Sequence, residues 1–179
     1  MPTTPQAFLL PAVQRITAFF EATAGNWHSQ RRYYTLASGE TQEVESEIAI
    51  AFLAPGAPEL VHLAGLHDLA DPGAIVCGAQ VTWESTYPQQ NRKPVKGSTV
   101  FGVAGEKLLR DRGFATSKPV TAAYHFPEPK TLCLRTSYNG SSFEEEIKLI
   151  GSQYRTRQTI IGRAGEEVMI GQYLETRLS

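Results

Sequence analysis

From Trp27 onward the chain is a succession of short runs in which apolar and polar residues alternate, broken by turn signals at Ser38-Gly39, Asn139-Gly140 and Ala164-Gly165. Alternation with period two is the mark of a strand with one face buried. Ten such runs are expected: Trp27–Leu36, Gln42–Phe52, Ile75–Thr86, Ser98–Val103, Lys107–Arg110, Val120–Phe126, Leu132–Tyr138, Phe143–Ile150, Gln153–Gly162 and Glu167–Arg177. Asn139-Gly140 is the strongest hairpin signal among the turns, because both residues tolerate a left-handed backbone. Consecutive strands on short turns build an antiparallel up-and-down sheet. Closing that sheet into a barrel removes its exposed edges. The fold class expected is therefore all-β, a barrel of about ten strands with an N-terminal helix and one short inserted helix.

The helices are read from a change of period. Ile16, Phe19, Phe20 and Thr23 recur at helical spacing after Pro11, and Gly25 stands where a helix stops. Pro58–Leu69, with Leu60, Val61, Leu63, Ala64 and Leu66, begins on a proline and ends before Asp71-Pro72, which marks a second helix. Tyr87–Gly97, rich in Pro, Asn and Lys, reads as a mobile loop at the barrel mouth. The 179 residues form one domain, 1–179, with 1–10 as a disordered tail.

The formal net charge of −1 argues against a nucleic-acid binder. No apolar run approaches the roughly 18 residues needed for a membrane span, and Met1–Pro5 has no secretory character, so a cytoplasmic protein is expected. Cys77 and Cys133 lack neighbours at metal-ligand spacing and read as buried free thiols. His28, His62, His67 and His125 show no metal spacing either; His62 and His67 are expected on the exposed side of the second helix. The metal expectation is none.

In the ninth run Arg155, Arg157 and Thr159 lie two apart and share one face. Adjacent guanidinium groups repel and resist desolvation unless an anion satisfies them. This face either looks at water or lines a cavity that receives carboxylates. In the first run Trp27, Ser29, Arg31 and Tyr33 share one face, and His28, Gln30, Arg32 and Tyr34 the other. Gly25-Asn26-Trp27 resembles the lipocalin-type entry, in which the tryptophan plugs the closed end of a barrel. Trp83 shares a face with Val81 and Ser85, as a core residue or as a plate for a flat conjugated ligand. The run Phe143-Glu144-Glu145-Glu146-Ile147 reads as a solvated strand start, but Glu145 is in phase with Ile147 and Leu149, which leaves both an inward and an outward carboxylate open.

Phe19-Phe20-Glu21, Ala24-Gly25-Asn26-Trp27 and Ser29-Gln30-Arg31 together resemble the opening signature of the S-type phycobiliprotein lyases, the CpcS/CpeS family. Tyr154–Ile160 and Met169–Glu175 are similar to that family's closing strands, and Trp83-Glu84 falls where its mid-chain tryptophan does. The resemblance implies a lipocalin-like barrel, a cyanobacterial, algal or plastid setting, and a bilin lyase. Such an enzyme binds a linear tetrapyrrole, phycocyanobilin being the commonest, and passes it to a cysteine of a phycobiliprotein apo-subunit as a thioether. The bilin is then a transient substrate, with no permanent cofactor. The resemblance assigns Arg31, Arg155, Arg157, Trp27 and Trp83 to ligand binding and Glu145 to the chemistry. Many members carry a histidine three residues after the opening arginine, where this chain has Tyr34. Relatives act alone or with a second, related subunit, so the resemblance accommodates a homo-oligomer or a paired lyase. The competing expectation is a non-enzymatic lipocalin-like carrier of an amphipathic carboxylate such as a fatty acid. A barrel with a filled interior and outward arginines is the third.

Overall fold

The computed structural model describes residues 12–178. Ten antiparallel strands form one closed barrel: β1 (Gly25–Thr35), β2 (Thr41–Leu53), β3 (Cys77–Thr86), β4 (Val95–Ala104), β5 (Lys107–Arg110), β6 (Val120–Glu128), β7 (Thr131–Tyr138), β8 (Ser141–Ile150), β9 (Tyr154–Arg163) and β10 (Glu166–Leu178). Each strand pairs with its sequence neighbours, and β10 returns to pair with β1 from Asn26↔Leu178 to Thr35↔Met169. No edge is left among these strands. The two expected helices are α1 (Ala12–Thr23) and α2 (Pro58–Leu66). The expected helix start at Pro11 and the tail 1–10 lie outside the described residues.

The two helices do different work. α1 turns Ile16, Phe19 and Phe20 into the barrel's own core, where they meet Ile48, Leu108, Leu132 and Leu149 from the inner faces of four strands. Burying side chains of this size contributes roughly 1.5–3 kcal/mol each. α1 thereby closes one end. α2 packs outside the barrel, where Leu60, Leu63 and Ala64 join Leu53, Ile75 and Leu109 in a second cluster. Gly78 and Gly102, opposite each other on β3 and β4, are the floor on which α2 rests.

Some expectations change in detail. α2 ends at Leu66, before the expected Leu69, because Asp68 takes a positive φ of 53° that a helix cannot contain. The loop expected over Tyr87–Gly97 stops at Pro94, since Val95–Gly97 pair with β3. His62 is exposed, but His67 is half-buried and its Nε2 donates to the Arg110 carbonyl at 2.8 Å. Cys77 is buried, whereas Cys133 is only half-buried: its neighbours Leu132 and Leu134 take the inner face and leave it on the outer one. Burial pushes both thiols up.

The seating of α2 gives a stability test. A Cβ on Gly78 would run into the Phe101 carbonyl oxygen, which belongs to the sheet and cannot move aside, and into Leu60 Cδ2 at 2.7 Å. Gly78→Ala is therefore expected to cost roughly 1–3 kcal/mol, read as a lowered urea midpoint. An unchanged midpoint would mean that α2 is not seated on this glycine.

Candidate functional site

The inner wall away from α1 is polar, and strand register explains how. Three successive rungs point inward across neighbouring strands. One is Leu149, Arg155, Glu175, Ser29, Ser46 and Ser85. The next is Ile147, Arg157, Tyr173, Arg31 and Val44, and the third is Glu145, Thr159, Gly171, Tyr33 and Gln42. Arg31, Arg155, Arg157, Trp83 and Glu145 all line one interior cavity of about 300 Å³. That is the low end of the roughly 300–1,000 Å³ of small-molecule sites. Phe19 and Phe20 of α1 form its base, and Tyr87, Val95, Arg112 and Phe114 line it from the loops and strand ends opposite. The arginines are inside and the interior is hollow, which removes the third expectation. A broader concavity of about 610 Å³ on the outer wall holds Arg32, Glu43 and Gln158. It is open to water and its Arg32 is already paired with Glu43, so the interior is the candidate site.

The two arginines of β9 do not stand alone. Arg155 Nε donates to Glu175 Oε1 at 2.9 Å, with the side chains 5% and 0% exposed. Arg157 Nη2 donates to Glu145 Oε1 at 3.0 Å. β9 is thus flanked by a carboxylate from β10 on one side and from β8 on the other. Burial disfavours the charge on Arg155 and leaves its pKa below the usual value, although Glu175 opposes this. Burial acts on Arg157 in the same sense, but Glu145 and then Glu175 outweigh it and raise its pKa. For Glu175 burial pulls upward, yet Arg155 and Arg157 together hold the carboxyl below its ordinary range.

Aromatic rings fix the guanidiniums. Arg155 Cζ lies 5.1 Å from the Trp27 ring, and Arg31 and Arg157 each lie 5.1 Å from the Tyr173 ring. Tyr173 and Tyr33 share a hydroxyl contact of 3.0 Å, and Thr159 Oγ1 donates to Tyr173 at 3.3 Å. Burial, reinforced by Tyr33, raises the Tyr173 phenol far above its usual value, so it remains a neutral hydrogen-bonding group. Trp83 packs its indole against Gly97, where a Cβ would come within 2.6 Å of Cε2. Arg112 lies over the same ring at 5.4 Å.

The sequence-expected residues therefore divide. Arg31, Trp83, Glu145, Arg155 and Arg157 converge on the cavity. Trp27 is wholly buried, donates from Nε1 to the Thr23 carbonyl at 2.9 Å and ties α1 to β1 as a plug outside the cavity lining. Tyr34, in the place of the family's histidine, is on the outer wall. Sequence reasoning missed Glu175, Tyr173, Arg110 and Arg112. Tyr173 and Glu175 carried a signal, being two apart on an inward face. Arg110 carried another, in phase with Leu108. Among the described residues no cluster of His, Cys, Asp or Glu is arranged to hold a metal, and no helix is long and apolar enough to cross a membrane.

The Arg155–Glu175 pair yields two tests. Arg155→Met leaves a buried carboxylate without its partner, which costs about 3–5 kcal/mol. Replacing both residues, R155M with E175L, is expected to restore most of that loss in chemical denaturation. Losses in the single variants R155M and E175L that simply add in the double variant would show that the pair is uncoupled. Because the folded-state pKa of Glu175 is depressed, its contribution to stability is present above the ordinary carboxylate pKa, about pH 4. It fades as pH falls through the lower folded-state value. E175Q should flatten the acid limb of stability against pH, and an acid limb as steep as in the unaltered protein would exclude Glu175 as its source.

Residues 15–178 match the model of the CpeS-like protein family. A protein of Nostoc sp. (strain PCC 7120 / SAG 25.82 / UTEX 2576), provisionally named phycocyanobilin lyase CpcS 2, is 63% identical over 92% of this chain and 91% of its own. One of Picosynechococcus sp. (strain ATCC 27264 / PCC 7002 / PR-6), provisionally named chromophore lyase CpcV, is 51% identical over 98% and 88%. The solved S-type phycobiliprotein lyase CPES of Guillardia theta superposes with a TM-score of 0.78 at 26% identity, over 92% of this chain and 93% of that one. The barrel, the arginine-lined cavity and these likenesses agree, and the chain belongs to the CpeS-like family of S-type phycobiliprotein lyases.

Proposed function

We propose that this protein is a bilin lyase: it holds a linear tetrapyrrole in the barrel and attaches it through a thioether to a cysteine of a phycobiliprotein subunit. The observation that carries the reading is a hollow interior lined with arginines and Trp83, in a chain 63% identical to a protein named for phycocyanobilin attachment. The ligand implied is phycocyanobilin, the partners are apo-subunits such as phycocyanin β and allophycocyanin, and the setting is the cyanobacterial cytoplasm. Assembly as a homo-oligomer or with a related lyase subunit fits the family equally.

The chemistry needs little from the lyase beyond positioning. The partner's thiol adds across the exocyclic double bond of ring A; a carbon–sulfur bond forms and the thiol proton passes to the conjugated tetrapyrrole. Neither cysteine of this chain is among the cavity-lining residues, so the nucleophile comes from the partner. Guanidinium forks pair naturally with the bilin's propionates, and the indole of Trp83 offers a face for a conjugated ring. Glu145 already accepts a hydrogen bond from Arg157. In that state it is suited to accept from the pyrrole N–H groups and to stabilise the protonated, more electrophilic tetrapyrrole. Holding a flexible ligand in one shape converts a random encounter into an oriented one. A carrier of a fatty acid would need an apolar tunnel. Arginines, two buried carboxylates and two facing tyrosines fit that role poorly, and the relatives bear lyase names.

Incubation with phycocyanobilin and apo-phycocyanin β tests the reading. The expected product absorbs in the red, survives denaturation and fluoresces with zinc in a gel. Tight binding without covalent transfer would instead favour a carrier. Glu145→Gln is expected to slow attachment on the order of a hundredfold while leaving bilin binding within a few-fold. An unchanged rate would remove Glu145 from the chemistry.

A further inference from the structure

Five arginines line the cavity: Arg31, Arg110, Arg112, Arg155 and Arg157. Two of them, Arg155 and Arg157, have the buried carboxylates Glu175 and Glu145 as partners. Arg112 is exposed and has water. That leaves Arg31 and Arg110 as the enclosed cations without an ion-pair partner among the described residues. Arg31 at least donates from Nε to Ser29 Oγ at 3.2 Å. Arg110 is only 8% exposed, and its Nε is buried with no hydrogen-bond partner. A charged donor in that condition is costly unless something arrives to meet it.

Its surroundings hold it in place and leave its charge unmet. The guanidinium lies 4.7 Å from the Phe101 ring and 5.0 Å from the Phe114 ring. The backbone carbonyl of Arg110 accepts from His67, so α2's end pins the strand from outside. The next carboxylate in sequence, Asp111, is occupied through Oδ1 by Thr99 Oγ1 at 2.7 Å and Val100 N at 3.1 Å. Glu145 favours the charge on Arg110 at longer range, but its Oε1 serves Arg157. β5, which carries Arg110, is four strands from β1, which carries Arg31, one way around the barrel of ten and six the other, so the two cations face each other across the lumen.

We propose that Arg110 is a carboxylate anchor, so that the cavity selects a ligand with two acid groups, one held at Arg31 and the other across the lumen at Arg110. The two unpaired enclosed cations match in number the two propionates of a linear tetrapyrrole. This rests on the tetrapyrrole reading and adds a specificity determinant that Arg155 and Arg157, already neutralised from within, do not supply.

The test compares biliverdin IXα with its dimethyl ester, both followed by quenching of tryptophan fluorescence. The unaltered protein should bind the diacid at least tenfold more tightly than the ester. Arg110→Met should lower diacid affinity tenfold or more and leave ester affinity unchanged. R110Q should behave like R110M, and R110K should keep part of the discrimination, so a folding failure of one variant does not remove the test. Circular dichroism and melting confirm each fold. A folded R110M or R110Q that still discriminates as the unaltered protein does would overturn the anchor while leaving the tetrapyrrole reading intact. So would an equal loss for both ligands, which would mark Arg110 as a matter of shape. No binding of either compound by the unaltered protein would sink the tetrapyrrole reading and the anchor together.

Discussion

A guanidinium brought out of water must be met by an anion, and the interior of this barrel is organised by that demand. Arg155 and Arg157 point inward from one strand, and the strands on either side each supply one carboxylate, Glu175 from β10 and Glu145 from β8. Glu175 is directly opposite Arg155 in the ladder, whereas Glu145 reaches Arg157 diagonally from beside Thr159. Such pairs contribute little net stability once desolvation is counted. Their effect is on register. A slip of one residue between β9 and either neighbour would turn the arginines or their partners to the outside, so the pairs select one alignment out of several that the apolar pattern alone would accept.

Stability comes from the other end. The face of α1 and the inner residues around it form a dry cluster of the kind that closes a barrel, and α2 thickens the wall at β3 and β4 from outside. With one end packed and covered, the remainder of the lumen need not be filled. Guanidiniums that repel one another, held apart by rings of Tyr173, Trp27 and Phe101, resist collapse into a filled core. The hollow and its charge have the same cause.

This division explains what was legible in the sequence. All ten strands were, because alternation and glycine turns are local signals. Asn139 and Gly140 do take positive φ, 51° and 74°, as the hairpin requires. Boundaries moved where tertiary pairing extended a strand, as at Val95, or where a residue such as Asp68 broke a helix. Which residues share a face with the arginines, Trp83 and Glu145 was legible because period two assigns each a face; that these faces look into the lumen is fixed by the closed sheet. What escaped was partnership. Glu175 pairs with Arg155 across a strand boundary, twenty residues away in sequence, and Arg110 reaches the lumen from a four-residue strand. Both depend on register around a closed sheet, which no single stretch of sequence encodes. Cys133 was misplaced for the opposite reason: apolar neighbours suggested burial, but they alternate past it.

The size of the cavity bears on how such a barrel would hand over its ligand. At about 300 Å³ it is small for a molecule of four linked pyrroles. A site that enclosed the whole ligand would protect it and also hide it from a partner. One closed end and a lining that continues to Tyr87, Arg112 and Phe114 suit a different arrangement. The propionates are gripped inside by fixed cations, and the reactive end ring stays within reach of an incoming thiol. On the proposed reading, the acid groups are the handle and the end ring is the cargo's working end. Internal ion pairs then serve the transfer step by keeping part of the cationic wall neutral, so that the grip is selective without being so strong that release becomes slow.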